Sequence, residues 1–209
     1  MHALANITQY RETKEGTDLV IRIPELQLGN MLCQKAIKKA EIRFDDGRHI
    51  SAEQRKKAYA TLRDIADYTG YFPEELKEHM KYQHIIRTGD DYFSLSSCSM
   101  DVAREFINTI LEFAIELGIP LSESALNRTD DIGRFLYFCI KNKKCAVCGK
   151  DGEIHHEDAI GMGNDRRKLD DSNHKKICLC RLHHTIAHQK GVVEFQKCYK
   201  VYGIVVKDF

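Results

Sequence analysis

Tryptophan is absent from this 209-residue chain, and proline occurs only 3 times. No apolar run approaches the ~18 residues that a membrane-spanning helix needs, so no membrane partner is expected. The composition argues against a disordered or a collagen-like chain, and there is no low-complexity tract and no internal repeat. Its first residues, MHALANITQY, lack the basic-then-apolar pattern of a secretory signal, so a cytoplasmic location is expected. Nor does one sign of charge prevail: 32 Lys and Arg stand against 31 Asp and Glu. That balance argues against a uniformly basic nucleic-acid coat. With 43% hydrophobic residues, the chain can form one large domain or two small ones.

What is abundant is unevenly placed. The chain has 8 Cys and 10 His. Residues 132–209 hold 6 of the Cys and 6 of the His. Residues 1–131 carry 17 basic and 22 acidic side chains, a net of −5, whereas 132–209 carry 15 and 9, a net of +6. Near-neutrality is therefore the average of an acidic segment and a basic one rich in metal-ligand side chains. In a reducing compartment, such clustered Cys and His suit metal binding better than disulfides. A division into domains 1–131 and 132–209 follows.

Along the first domain, Leu4, Ile7, Leu19, Ile21 and Ile23 suggest two strands around a Lys14–Asp18 turn. Ala40–Phe44 suggests a third. Ser51 and Gln54 have capping-box spacing, predicting a helix to about Tyr68, and Pro73-Glu-Glu predicts another helix start. Val102, Ala103, Phe106, Ile107, Ile110, Leu111, Phe113, Ala114 and Leu117 recur at helical spacing, so a core helix should run from Asp101 to Leu117. Polar Leu121–Asp131 is expected to be a hinge, and Ile132–Asn142 a short helix.

Cys145-Ala-Val-Cys148-Gly149 can grip one tetrahedral zinc through two thiolates on a tight turn. A redox pair is the other reading of that spacing. Cys180-Arg-Leu-His183 favours the metal, because it completes a Cys3His set of Cys145, Cys148, Cys180 and His183. With no open position, the expected cofactor is a structural Zn2+. Cys178 should be a small buried strand residue, and core packing is likewise expected of Cys33, Cys98, Cys139 and Cys198. His184 and His188 lie one helical turn apart on one face, a metal-holding geometry. Adjacent His155 and His156 point to opposite faces if extended, so one can join a metal while the other acts as a base. A redundant zinc site is the rival explanation of these four.

The segment Cys145–His188 resembles the HNH endonucleases, which have a ββα-metal fold. The likeness rests on CxxCG, on Glu-Ile-His155-His156-Glu, and on Leu179-Cys180-x-x-His183-His184-x-x-x-His188. It implies that His156 is the general base and that His155, His184 and His188 hold one catalytic divalent metal (Mg2+, Mn2+, Ni2+ or Zn2+). Two departures stand out. The second knuckle is CxxH, and Lys175 occupies the usual place of the middle Asn, leaving Asn173 or His174 to orient the base. Basic side chains surround the motif: Lys141, Lys143, Lys144, Arg166, Arg167, Lys168, Lys175, Lys176 and Arg181. Singly each suits a solvated surface; together they suit phosphate contact, with Arg166 and Arg167 as DNA-binding candidates.

Residues of about 40–121 resemble the phage Orf (NinB) recombination-mediator family. The matching stretches are Ala40-Glu-Ile-Arg-Phe44, Ser51-Ala-Glu-Gln54-Arg55-Lys-Lys-Ala-Tyr59, and Ser94–Met100 leading as a strand into the long helix. The whole chain resembles the Orf variant of Gram-positive phages that carries a C-terminal HNH domain. This implies a homodimer acting on single-stranded or branched DNA in recombination, in the host cytoplasm, with a host or phage single-strand-binding protein as a possible partner. It places Gln54, Arg55, Lys56 and Tyr59 near the DNA, although Tyr59 fits equally well in the core beside Leu62 and Ile65. The expected fold is α+β: an Orf-like domain followed by a zinc-containing ββα-metal domain. The expected activity is metal-dependent hydrolysis of DNA phosphodiester bonds. The rivals are a non-catalytic DNA-binding mediator with a structural zinc module, and a protein whose zinc serves folding alone.

Overall fold

The computed structural model describes residues 5–24, 27–35, 42, 47–157 and 173–206. Its elements, in order, are β1 (Asn6–Thr13), β2 (Gly16–Arg22), α1 (Gly29–Gln34), α2 (Ala52–Thr69), α3 (Pro73–Thr88), α4 (Met100–Glu116), α5 (Ala125–Arg128) and α6 (Ile132–Lys141). Then follow β3 (Glu153–His156), β4 (Lys175–Leu179), α7 (Arg181–Lys190), α8 (Val192–Tyr199) and β5 (Ile204–Val205). The architecture is a mixture of helices, a β1–β2 hairpin and an antiparallel sheet of order β3-β4-β5. Of the strand expected at Ala40–Phe44, all but Ile42 lies outside the described residues.

Local chemistry sets the helix ends. Ser51 Oγ accepts from the Gln54 N–H at 3.0 Å while the Ser51 N–H donates to Gln54 Oε1 at 3.1 Å, closing the expected capping box of α2. Gly70, at φ 79°, stops that helix in a conformation that disfavours a side chain. On α4, Ala103, Phe106, Ile107, Ile110, Leu111 and Ala114 are buried against Leu62, Ile65, Leu76 and Met80 of α2 and α3. The stripe ends one turn early, because Leu117 is 54% exposed.

Two expectations fail for local reasons. Ser94–Met100 forms no strand. The Ser97 and Cys98 N–H groups both donate to the Ser94 carbonyl, and Ser99 makes only a single bridge with His49. Serine hydroxyls compete for the backbone there, Ser94 Oγ accepting from the Ser96 N–H at 3.3 Å. Leu121–Asp131 is not a loose hinge either. It contains α5, and buried Arg128 pairs with Asp64 and Glu123. Lys57 also binds Asp130 at 2.6 Å.

A second core begins at α6, where Asp131 caps the helix by accepting from the Arg134 N–H. Phe135, Leu136, Cys139 and Ile140 pack on Ile177, Cys178 and Leu179 of β4, with Ala187, Phe195, Val201 and Val206 completing the cluster. Helix α6 also lies against α4, held by Arg134–Glu105 at 2.6 Å and Lys141–Glu112 at 3.1 Å. In the β3–β4 ladder, His155 is opposite Ile177 and His156 opposite Lys176. Gly152 lets the chain enter that ladder closely, since a Cβ there would lie 2.9 Å from Cys178 Sγ and from the Leu179 carbonyl. Cys98, Cys139 and Cys178 are buried as expected, but Cys33 and Cys198 are exposed, which corrects their assignment to the core.

Candidate metal centres

The knuckle is a tight reversal. Cys145 donates its N–H to the Lys150 carbonyl at 2.7 Å and accepts from the Gly149 N–H at 2.8 Å, with Gly149 at φ 70°. Cys180 is the N-cap of α7, and His183 lies in the first turn of that helix. The donor atoms of Cys145, Cys148, Cys180 and His183 all lie within 4.8 Å of one another. Cys148 Sγ is 3.7 Å from Cys180 Sγ, and His183 Nδ1 is 3.2 Å from Cys180 Sγ and 3.4 Å from Cys145 Sγ. A tetrahedron with Zn–S bonds of ~2.3 Å has S–S edges of ~3.8 Å, so this donor set fits a structural metal such as zinc.

The buried thiols Cys145 and Cys180 are shifted in opposite directions. Burial pushes the Cys145 thiol up to about 11, which leaves it protonated unless a cation is present. Burial also opposes ionisation of Cys180, but backbone N–H groups of His183 and Leu182 and the neighbouring thiols outweigh it and lower that thiol. The Tyr199 ring lies edge-on to His183, with centroids 5.2 Å apart.

The second cluster uses the same helix one turn later. His155 on β3 meets His184 and His188 on α7, with ring centroids 4.6, 4.9 and 4.9 Å apart and donor atoms within 4.8 Å. His155 is buried and His188 is exposed, so the cluster has a protein-facing floor and an open mouth. Burial, then the neighbouring His184, His188 and His156, take His155 from its ordinary 6.5 down to about 4. At neutral pH its imidazole is neutral and offers a lone pair. Three imidazoles converging from a strand and a helix fit one divalent cation and leave positions open to solvent.

His156 faces the other way, as strand alternation requires. Its ring is 6.5 Å from that of His174, at 81°. Of the two expected base-orienting residues, His174 therefore approaches His156, whereas Asn173 is exposed. Glu157, next along the chain, donates its N–H to the Lys175 carbonyl at 2.9 Å, which holds the strand end beside His174.

Other expected site residues fare differently. Gln54 is 5% exposed and its amide donates to the Met100 carbonyl at 3.1 Å, so it serves the fold rather than a DNA-facing surface. Arg55 donates to the Leu95 and Ser96 carbonyls at 3.0 Å each, tying α2 to the loop before α4. Lys56 is exposed. Tyr59 is 41% exposed and lies outside the core, with the Lys77 ammonium 6.0 Å from its ring. Arg166 and Arg167 lie outside the described residues.

Glu153 is a site residue to which the sequence motifs assign no role. It precedes His155 by two positions on β3, a spacing that puts both side chains on one face of the strand. That alternation was the available signal. Glu153 Oε1 lies 2.6 Å from His184 Nδ1, and this contact holds the carboxyl below its usual range. A separate cleft of ≈ 970 Å³ lies away from the histidines, between Pro120–Ser124 and the knuckle.

A family model described as Putative HNHc nuclease matches residues 25–208, a span that includes both cores and both Cys/His clusters. No curated protein and no solved structure matches the chain.

Proposed function

The chain belongs to the HNHc nuclease family, and we propose that it is a metal-dependent endonuclease that hydrolyses DNA phosphodiester bonds. The observation that carries this reading is the division of two adjacent histidines across β3. His155 turns to His184 and His188, while His156 turns toward His174.

In the proposed reaction, His156 is the general base. It takes a proton from water as the water attacks phosphorus, and His174, or Asn173, orients its ring. Histidine suits this step because its ordinary pKa lies close to neutrality. His155, His184 and His188 would hold a divalent cation (Mg2+, Mn2+, Ni2+ or Zn2+). That ion supplies Lewis-acid stabilisation of charge on the phosphoryl and departing 3′ oxygens. Cys145, Cys148, Cys180 and His183 would hold a structural Zn2+ that fixes the N-terminus of α7 and with it the positions of His184 and His188.

The remainder of the proposal concerns the first domain. We assign residues 1–131 to an Orf-like, homodimeric platform for single-stranded or branched DNA, and residues 132–209 to the cutter. Two separate cores support that division. Exposed Lys56 and Tyr59, with Lys77 beside the ring, can offer a cation to phosphate and an aromatic face to a base. Phage recombination in the bacterial cytoplasm, with a single-strand-binding protein nearby, is the matching role. Among the described residues no helix is long and apolar enough to cross a membrane.

The test is nicking of supercoiled and branched DNA with Mg2+, Mn2+ or Ni2+, comparing the wild type with His156→Ala. Loss of a general base should slow cleavage about 10²- to 10⁴-fold while metal binding is retained. Equal cleavage by both proteins refutes the base assignment. Absence of cleavage with every metal, alongside retained DNA binding, favours the non-catalytic mediator.

A further inference from the structure

We propose that Glu153 is a positioning residue of the metal centre, holding the His184 ring and its proton so that Nε2 is the atom presented to the cation. The proposal rests on the reading of His155, His184 and His188 as one metal site. A carboxylate can only accept a hydrogen bond, so the ring nitrogen 2.6 Å from Glu153 Oε1 must carry the hydrogen. That nitrogen is Nδ1, so in the neutral imidazole the lone pair is on Nε2.

The carboxylate does not belong to the group of donor atoms lying within 4.8 Å of one another, and it contacts His184 at Nδ1. Its place is fixed from the backbone. Glu153 pairs with Leu179 in the β3–β4 ladder, while His184 sits on α7, which directly follows β4. The contact therefore spans strand and helix, the same gap that the metal would span between His155 and His184. His155 is buried, so packing holds its ring. His184 is more open, and without Glu153 its ring can turn and its proton can move to the ligating nitrogen. Partners of this kind typically contribute 10- to 100-fold in metal affinity.

The experiment is calorimetric titration of Ni2+ into the zinc-loaded full chain for wild type, Glu153→Ala, Glu153→Gln and His184→Ala. Long-range 1H–15N spectra of the metal-free trio would be recorded in parallel. The expected result is a Kd weakened about 10- to 100-fold by Glu153→Ala. Glu153→Gln, which keeps an acceptor oxygen, should weaken it less. Zinc content and Tm should be unchanged, and the wild-type His184 proton should lie on Nδ1. The proposal is overturned if His184→Ala abolishes binding while Glu153→Ala stays within about twofold of wild type, or if the proton lies on Nε2. A loss of zinc or a fall in Tm in Glu153→Ala likewise overturns it in favour of a structural role. If His184→Ala binds Ni2+ like the wild type, the metal trio itself is wrong and the positioning role falls with it.

Discussion

Single side chains here are decided by what surrounds them. His155 and His156 are chemically identical neighbours, yet one is buried among two other imidazoles and the other lies beside His174. This difference gives a pH prediction. Folded His155 binds its proton less readily than unfolded histidine, with a value of about 4 against 6.5. Between those values unfolding takes up a proton, so acid favours the unfolded chain there, and the contribution is complete above 6.5. With zinc bound and no second ion added, Tm should fall as pH drops from 6.5 toward 4. His155→Asn should show a shallower decline over that window, and parallel curves would contradict it. Gln54 teaches the opposite lesson: a polar residue in a suggestive motif was absorbed by a cap and a carbonyl.

Elements form where several local signals agree. Helix α2 has a reciprocal cap, an apolar face and a left-handed glycine stop, and the Ser51–Gln54 spacing predicts the first of these. Replacing Ser51 with Ala removes the cap and should cost about 1 kcal/mol, read as a shift in urea midpoint at constant slope. The Ser94–Met100 strand and the Leu121–Asp131 hinge were misjudged for a shared reason. Polar residues in a loop can bond their own backbone or a distant ion, and neither outcome has a periodicity to read. Asp64, which receives Arg128, lies 64 positions away in the chain.

At the scale of the whole molecule, the two cores differ in what they bury. The first is a helical cluster of Phe106, Leu62, Ile65 and their neighbours, with no metal-ligand cluster among its described residues. In the second, α6 and a short sheet pack around thiols, and burial leaves Cys145 protonated unless a metal binds. Stripping zinc with a strong chelator should therefore release amide protection in β3, β4 and α7 while α2 and α4 remain protected. Hydrogen exchange followed by mass spectrometry would check this, and uniform loss of protection would contradict it. The charge split follows the same division, with the basic excess on the segment that carries the metal ligands. Weakening of DNA binding with salt should accordingly track that half.

By itself the sequence determined the ligand types, their pairing by CxxC, CxxH and i, i+4 spacing, the main helices and the HNH likeness. Spacing along a turn or a helix fixes local geometry, because the backbone permits few conformations over four or five residues. The tertiary structure decided that His155 faces His184 and His188, that the His174 ring lies 6.5 Å from that of His156, that the Gln54 amide reaches the Met100 carbonyl, and that Glu153 meets His184. Those outcomes depend on the register of β3 against β4 and on the docking of α7 across them. Such long-range packing leaves no periodic trace in the chain.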